Sequence, residues 1–191
     1  MWESLVELDY ALFKYINSSW IGQFDQFWIF VTSIESWIPL YLLFFYLFFI
    51  KLAKPLKYIA IAGVPSLAAF TLLLTNLVKN YIQRLRPNND PVLVDVINII
   101  QKPLNFSFWS GHTAVSLAVT LFVLLLLRRH APSKWYALFF LWPLLFALSR
   151  VINGVHFPSD IFVGALVGAI LGIGAYKMAL YINRRLLLYT T

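Results

Sequence analysis

Five apolar runs separated by short charged loops dominate this chain and restrict what it can fold into. A helix that crosses a bilayer needs about 20 predominantly apolar residues, and several of the runs approach that length. Because 61% of the 191 residues are hydrophobic and only 12% are charged, a water-soluble globule of this size could not bury its apolar residues. The sequence therefore predicts one all-α, polytopic transmembrane domain over residues 1–191.

The pattern favours a helical bundle of about five spans and leaves room for a sixth. The predicted spans cover residues 37–50, 58–78, 112–127, 135–148 and 161–181. The first is short for a bilayer, so its start can extend into the segment before it. Small residues four apart let helices approach closely, and the fifth span has this pattern. Its glycines are Gly164, Gly168, Gly172 and Gly174.

Residues 1–36 are too polar to cross the membrane by themselves and predict interfacial helices. The first helix is amphipathic, and its apolar positions are Leu5, Leu8, Leu12, Phe13, Tyr15 and Ile16. The second segment, at 20–34, mixes aromatic residues such as Trp20 with acidic and amide side chains. Aromatic residues are enriched in the headgroup layer, where we expect both segments to lie.

The basic residues predict the topology. The chain carries a net charge of +7, and its loops at 51–57 and 128–134 and the tail after Lys177 contain cations but no acidic residue. Cytoplasmic loops are enriched in Lys and Arg, so these parts are predicted to face the cytoplasm. The loops at 79–111 and 149–160 then lie on the outer face of a bacterial cytoplasmic membrane. We attribute the positive charge to topology and anionic lipid, and we expect no nucleic-acid partner.

The loop at 149–160 places a cation, an imidazole and a carboxylate between two predicted spans. Asn153-Gly154 predicts the end of one helix, and Pro158 predicts the start of the next. His156 and Asp160 are four residues apart, so the carboxylate can reach one imidazole nitrogen and fix the tautomer. The alternative is a polar loop whose charges are incidental.

Other cations are predicted to face the same side of the membrane. Lys79 and Arg86 are two helical turns apart, so on a continuing helix ended by Pro87 they share one face about 10 Å apart. For Lys79 or Arg84 alone, snorkelling to the interface is the favoured interpretation. Arg150 adds a planar, permanently charged fork that suits phosphate oxygens.

Ser110, Gly111 and His112 stand where the third span begins. Ser110 predicts an N-cap, and the free amides of a helix N-terminus favour an anion, although a plain cap is the alternative.

His130 lies in a loop predicted to be cytoplasmic, where we expect it to be solvated. Two histidines and Asp160 could ligate a metal, but the surrounding cations would repel it, so neither a metal nor another cofactor is expected.

These motifs resemble the three-part signature of the type 2 phosphatidic acid phosphatase (PAP2) family. The matching parts are Lys79-x6-Arg86-Pro87, Ser110-Gly111-His112 and Ser149-Arg150-x5-His156-x3-Asp160. The resemblance covers residues 79–160 and implies a membrane lipid phosphatase or diphosphatase related to vanadium haloperoxidases. The family usually has proline before the serine of the second motif, whereas this chain has Trp109, which we expect to line the lipid entrance.

The resemblance also implies a role for each matched residue. His156 would be the nucleophile, oriented by Asp160, and His112 would be the general acid that protonates the leaving oxygen. The groups that would bind the phosphate are Lys79, Arg86, Ser110, the Gly111 amide and Arg150. Water would then hydrolyse the phosphohistidine without help from a metal ion.

The expected substrate is the terminal phosphate of a lipid, with undecaprenyl diphosphate favoured. Phosphatidylglycerol phosphate, phosphatidic acid and a lipid A phosphate are the alternatives. A non-catalytic lipid-phosphate binder or transporter would need only the cations, so the two histidines argue against it. A haloperoxidase-like oxidant would share the anion site but does not suit so apolar a chain. Membrane lipids and the substrate are the expected partners, and the sequence leaves the oligomeric state open.

Overall fold

The computed structural model describes residues 2–19 and 23–189, and within those ranges it contains helices and turns but no strand. The helices are α1 (Trp2–Asn17), α2 (Asp25–Thr32), α3 (Ile38–Lys51), α4 (Leu56–Ile82), α5 (Gly111–His130), α6 (Leu141–Ile152) and α7 (Pro158–Leu188). Short 3-10 turns lie at Glu35–Trp37, Pro87–Asn89 and Lys134–Phe140. The all-α prediction is confirmed. Trp20, part of the second predicted interfacial segment, lies outside the described residues.

Four helical segments are long and apolar enough to cross a membrane. They are Leu56–Asn89, Gly111–His130, Lys134–Ile152 and Pro158–Leu188. A fifth crossing results if α2 and the segment Glu35–Lys51 act together as one span. The two parts are bent by 70° relative to each other. The described residues therefore agree with four or five spans and provide no sixth. The short first span does have a helix before it that can extend its start.

Helix boundaries near the motifs follow the local sequence. α6 ends at Ile152, and two residues later Gly154 takes a φ of +76°, which a side chain would disfavour. α7 begins at Pro158, whose ring suits the first helical position. Ser110 caps α5, because its hydroxyl accepts a hydrogen bond from the Thr113 amide. These three predicted boundaries are confirmed.

The predicted end of α4 is wrong. The helix does not continue to Pro87 but ends at Ile82, where Gln83 takes a left-handed φ of 54° and its N–H bonds the carbonyl of Lys79. Such a left-handed residue closes a helix by satisfying one of its last carbonyls. Arg86 consequently lies in extended backbone after the helix, so it does not share a helical face with Lys79.

α1 packs onto the bundle with some of its apolar residues buried and others exposed. Phe13, which the sequence analysis grouped with the apolar positions, is fully buried and packs with Leu93 and Phe157. Leu5 and Leu8 point away and are more than half exposed. The apolar positions of this helix are therefore divided between an outward side and an inner side that contacts the motif loops.

Three of the four predicted packing glycines bring α5 and α7 together. A Cβ built on Gly164, Gly168 or Gly172 would lie 2.5–2.7 Å from a backbone carbonyl oxygen of the α5 segment, at Ser110, Ala114 and Ala118 respectively. Gly174 has nothing within 4 Å of its position, so its predicted packing role is wrong. Close contact between these helices holds Ser110 against the start of α7, where the Ser110 amide bonds the Asp160 carbonyl at 3.0 Å.

This packing predicts opposite effects for two identical substitutions. Gly168→Ala should destabilise the protein by about 1–3 kcal/mol, because the added methyl meets a backbone atom that cannot move aside. Gly174→Ala should be neutral or stabilise by up to about 1 kcal/mol, because alanine is the better helix former and the position is open. Thermal unfolding in detergent measures both. Equal midpoints for the two variants would contradict the close α5–α7 contact.

The motif loops meet at one end of the bundle. The loop at 83–110 follows α4 and the loop at 153–157 follows α6, and the Arg86 guanidinium bonds the Val155 carbonyl at 2.8 Å across them. The connections at 52–55 and 131–133 belong to the other end, because successive helices run in opposite directions. The sequence motifs thus occupy a single face of the membrane domain.

Candidate active site

His156 lies at the centre of the motif-bearing end and is 1% exposed. Its Nδ1 atom is 3.4 Å from Asp160 Oδ2, and its Nε2 atom is 3.1 Å from an Arg86 Nη1 atom. A guanidinium can only donate hydrogen bonds, so Nε2 is the acceptor and carries no proton. The proton must then reside on Nδ1, facing the carboxylate. The predicted contact between His156 and Asp160 is present, and it leaves Nε2 as the nitrogen with a lone pair.

The electrostatic surroundings keep this imidazole neutral. The pKa of His156 is held well below its ordinary value of 6.5, first by burial and then by the positive charges of Arg86, Lys79, Arg150 and Arg84. Both effects disfavour the protonated ring. At neutral pH the ring is therefore uncharged, which is the form that a nucleophilic nitrogen requires.

Asp160 is fully buried and accepts hydrogen bonds at both oxygens. Oδ1 binds the Arg84 guanidinium at 2.8 Å. Oδ2 accepts from the Ser107 hydroxyl and from the Phe157 amide, the latter at 3.0 Å, besides facing His156. Several donors to one carboxylate fix its orientation. Asp160 therefore contacts His156 and caps the start of α7.

Three further cations are almost completely buried. Lys79, Arg86 and Arg150 are 5%, 4% and 4% exposed. The Lys79 ammonium donates to the Phe106 carbonyl at 2.9 Å, and Arg86 binds the backbone and side-chain oxygens of Asn105, each at 2.8 Å.

Arg150 binds two neutral side chains. One of its Nη atoms donates to the Thr32 hydroxyl and to the Gln101 amide oxygen. Its buried Nε atom has no hydrogen-bond partner among the residues that the structure describes. A buried donor left free in this way is a candidate for binding an anion.

The second motif contributes the start of α5. Ser110 is fully buried, and its hydroxyl oxygen accepts from the Thr113 hydroxyl at 3.0 Å. Gly111 begins the helix close to Thr75 of α4. His112 packs edge-on against Phe146 with ring centroids 4.9 Å apart, and it lies within electrostatic range of His156. The structure thus gathers the residues of all three predicted motifs.

Arg84 and Ser107 lie next to His156 and Asp160, and Asp9 reaches them through Arg84; none of the three was predicted to take part. Arg84, which the sequence analysis assigned to snorkelling, instead forms ion pairs with Asp9 and Asp160 at 2.7 and 2.8 Å. Ser107 donates to Asp160, and its own amide bonds the Arg84 carbonyl at 2.8 Å. The sequence places Arg84 two residues before Arg86 of the first motif, which hints that Arg84 lies near the site. It does not indicate the partner Asp9, because Asp9 lies on a different helix, α1.

Trp109 does not line an entrance to the site. It is 8% exposed, and its indole N–H donates to the Thr75 hydroxyl at 2.9 Å, which ties the second motif to α4. The neighbouring Phe108 lines a groove instead, together with residues of α1 and α7. The expectation for Trp109 is therefore wrong.

The donor set of the site does not suggest a metal centre. No group of three or more His, Cys, Asp or Glu side chains that could hold a metal ion occurs within residues 2–19 and 23–189. The cations around His156 and His112 would also repel such an ion. Metal independence nevertheless stays a prediction.

Comparison with known proteins connects this geometry to a family. The sequence profile of the PAP2 superfamily matches residues 59–184, which include all three motifs and most of the bundle. The chain belongs to the PAP2 superfamily. The family that the sequence motifs predicted is confirmed.

Individual PAP2 proteins match over most of the chain. A lipid A 4'-phosphatase of Porphyromonas gingivalis is 29% identical over 188 residues, covering 96% of this chain and 78% of the relative. An undecaprenyl-diphosphatase of Sulfolobus acidocaldarius is 29% identical over 171 residues, covering 87% and 76%. The crystal structure of a PAP2-type phosphatidylglycerolphosphate phosphatase from Bacillus subtilis shares the fold, with a TM-score of 0.70, 22% identity and coverage of 95% and 89%. The predicted enzyme class, a membrane lipid phosphatase, is confirmed at this level.

Proposed function

We propose that this PAP2 protein hydrolyses the terminal phosphate of a lipid in two steps, through a phosphohistidine on His156. The observation that carries the proposal is the charge of the site. Lys79, Arg86 and Arg150 are buried, yet within the described part of the chain their hydrogen bonds go only to neutral groups, which are carbonyl, amide and hydroxyl oxygens and the imidazole of His156. Burying cations without an opposite charge is costly, so the site is built to receive an anion. A phosphate group fits because its oxygens can accept from all three side chains.

In the first step the Nε2 lone pair of His156 attacks the phosphorus atom. The Nε2–P bond forms while the bond from phosphorus to the lipid oxygen breaks, and His112 gives a proton to that oxygen. Asp160 accepts a hydrogen bond from Nδ1–H and so keeps that proton on the imidazole. The carboxylate also stabilises the positive charge that the ring gains. Lys79, Arg86 and Arg150 stabilise the charge on the transferring phosphoryl oxygens.

In the second step water attacks the phosphohistidine. His112, which lost its proton in the first step, accepts one from the attacking water. The Nε2–P bond breaks, inorganic phosphate leaves, and both histidines return to their starting states. The cycle needs no electron transfer, and its protons balance between substrate, water and His112.

For the substrate we place a lipid A phosphate first and undecaprenyl diphosphate second. The sequence alone favoured undecaprenyl diphosphate. The similarity to the lipid A 4'-phosphatase, which extends over 96% of this chain, supports the first choice. The similarity to the undecaprenyl-diphosphatase, over 87% of the chain, keeps the second. Apolar grooves between α5, α6 and α7 and between α1 and α7 suit lipid chains of either kind.

A phosphate-release assay on purified protein in detergent tests this function. Lipid A, undecaprenyl diphosphate, phosphatidylglycerol phosphate and phosphatidic acid are supplied separately, with a metal chelator present and the His156→Gln protein as the blank. We expect release from lipid A to have the highest kcat/KM and to be insensitive to the chelator. Release that exceeds the blank for none of the four lipids would overturn the proposal, and a rate restored by one divalent metal would overturn the metal-free mechanism.

His112→Ala should slow the reaction in a way that depends on the leaving group. For a lipid monophosphate, whose alkoxide needs a proton to leave, we expect a loss of at least about 10²-fold in kcat. For a phosphate ester of an acidic phenol, which leaves without a proton, the loss should be much smaller. Measuring both substrates with the wild type and the variant checks the assignment. An equal loss on the two substrates would contradict the role of His112 as the general acid.

We further propose that the protein lies in the bacterial inner membrane and that its active site is on the face opposite the cytoplasm. The chain contains no cysteine, so single cysteines report topology cleanly. Asn89, at the motif end, and Pro132, at the opposite end, are both exposed. With an impermeant thiol reagent on intact cells, Asn89→Cys should label and Pro132→Cys should label only after lysis. The reverse pattern would contradict this orientation.

A further inference from the structure

The N-terminal helix α1 contacts the active site through a buried carboxylate. Asp9 is 8% exposed, and its Oδ1 atom accepts from the Ser159 amide at 2.8 Å. Its Oδ2 atom accepts from the Ser159 hydroxyl and from Arg84 at 2.7 Å. Asp9 thus joins α1 to the first turn of α7 and to the loop after α4.

Arg84 connects Asp9 to the carboxylate that orients His156. One Nη atom of its guanidinium binds Asp9, and the other binds Asp160 at 2.8 Å. The plane of the guanidinium lies over the Phe157 ring, 4.1 Å from its centre, which fixes the fork between the two carboxylates. An unbroken series of contacts therefore runs from Asp9 through Arg84 and Asp160 to His156.

The contacts of Arg84 decide which oxygen of Asp160 meets the imidazole. The terminal torsion of an aspartate side chain is broad, so a carboxylate without directed partners can rotate. Arg84 occupies Oδ1, which turns Oδ2 towards His156. The Arg84 carbonyl also accepts from the Ser107 amide, and this places the Ser107 hydroxyl on Oδ2. The Arg84 side chain therefore binds Oδ1, and the Arg84 backbone carbonyl positions one of the donors to Oδ2.

We propose that Arg84 and Asp9 are positioning residues of the phosphoryl-transfer site, so that α1 is part of the catalytic unit. This inference rests on the proposed role of His156. Neither residue touches the phosphate in this account. Asp9 fixes Arg84, Arg84 fixes Asp160, and Asp160 holds the proton on Nδ1 of His156.

The attachment of α1 does not by itself require the Asp9–Arg84 pair. The Tyr10 hydroxyl bonds Asp90, and the Asn17 side chain bonds the carbonyls of Asn98 and Ile152, both at 2.9 Å. Phe13 adds a buried apolar contact to these. Since other groups already fix the helix, a partly buried ion pair that leads to the fully buried Asp160 points to a role in catalysis.

Single and double variants test the inference, with a neighbouring residue as the control. Asp9→Asn should lower kcat by about 10–100-fold with little change in KM. Without the Asp9 carboxylate, Arg84 is no longer fixed and cannot hold Asp160 in its orientation towards His156. Arg84→Gln should lower kcat at least as much, and the double variant should be no worse than Arg84→Gln alone. Tyr10→Phe removes a polar contact from the same helix but keeps its ring on Phe157, so its kcat should stay near the wild type.

A second measurement separates positioning from loss of structure. His156 faces the charges of Arg86, Lys79, Arg150, Arg84 and Asp160, and Arg84 contributes to lowering the pKa of its imidazole. Removing that positive charge favours the protonated ring, so Arg84→Gln should raise the pKa of His156. The chain has three histidines, so NMR titration of histidine-labelled protein can follow each one, and His156→Gln assigns the signal.

The outcomes distinguish the two proposals. If kcat falls in Asp9→Asn only as far as it does in Tyr10→Phe, or if the His156 pKa is unchanged in Arg84→Gln, the positioning role is wrong. If the wild type releases no phosphate from any lipid, the proposed function is wrong. The titration of His156 still reports on Arg84 in that case, because it does not depend on turnover.

Discussion

His156→Gln should lower kcat by roughly 10⁶-fold, because a single atom, Nε2 of His156, forms the covalent bond to phosphorus. The structure presents that atom, Nε2, unprotonated and in contact with Arg86 at 3.1 Å. Glutamine retains a polar group of similar reach but offers no nucleophilic nitrogen. Substrate binding should survive, because the buried cations remain.

The matched control is His130→Gln, the same substitution at a histidine in the last turn of α5, at the opposite end of the bundle. It should leave kcat near that of the wild type. Phosphate release with saturating lipid measures both variants, and a thermal unfolding midpoint verifies that each is folded. Retention of more than about one-hundredth of the activity in His156→Gln would rule out His156 as the nucleophile.

Asp160→Asn should lower kcat by about 10⁴-fold, the loss typical when an orienting carboxylate becomes an amide and the imidazole adopts the wrong tautomer. The amide has one acceptor oxygen, whereas Asp160 accepts from Arg84 at Oδ1 and from Ser107 and the Phe157 amide at Oδ2. The NH₂ group of the asparagine must therefore face either the Arg84 guanidinium or the Ser107 hydroxyl and Phe157 amide, all of which are donors. The imidazole is then free to place its proton on Nε2 and lose the nucleophilic lone pair.

Asp90→Asn is the matched control for this change, since Asp90 is also buried but binds Tyr10 and the Val92 amide. Its kcat should remain close to that of the wild type. Unfolding midpoints of the two variants show how much of any loss is structural, because Asp160 also caps α7. Equal kcat values for Asp160→Asn and the wild type would contradict the orienting role.

Much of the site could be predicted because its signals are local in sequence. The spacing of His156 and Asp160 places them one helical turn apart once Pro158 begins α7, and Ser110 caps the helix that it precedes. Close packing of α7 was predicted at four glycines, and it occurs at Gly164, Gly168 and Gly172, the three that are four residues apart. Each of these inferences needs only the geometry of one helix and its first turn.

What the sequence did not reveal depends on contacts between distant segments. Arg84 pairs with a carboxylate 75 positions away in Asp9, and no pattern within either segment encodes that partner. Likewise, the left-handed conformation of Gln83 ended α4 before Pro87, which was the only breaker visible in the sequence. The direction of Trp109 was also a matter of tertiary packing, set by the hydroxyl of Thr75 on another helix.

Trapping the covalent intermediate tests whether His156 is the nucleophile. Wild-type protein is mixed with excess ³²P-labelled lipid substrate, quenched in alkali within one turnover, digested and mapped by mass spectrometry. We expect an acid-labile phosphoryl group on His156, absent from His156→Gln and still formed slowly in His112→Ala. A phosphoryl group found on His112, or on any other side chain, would contradict the assignment of His156 as the nucleophile.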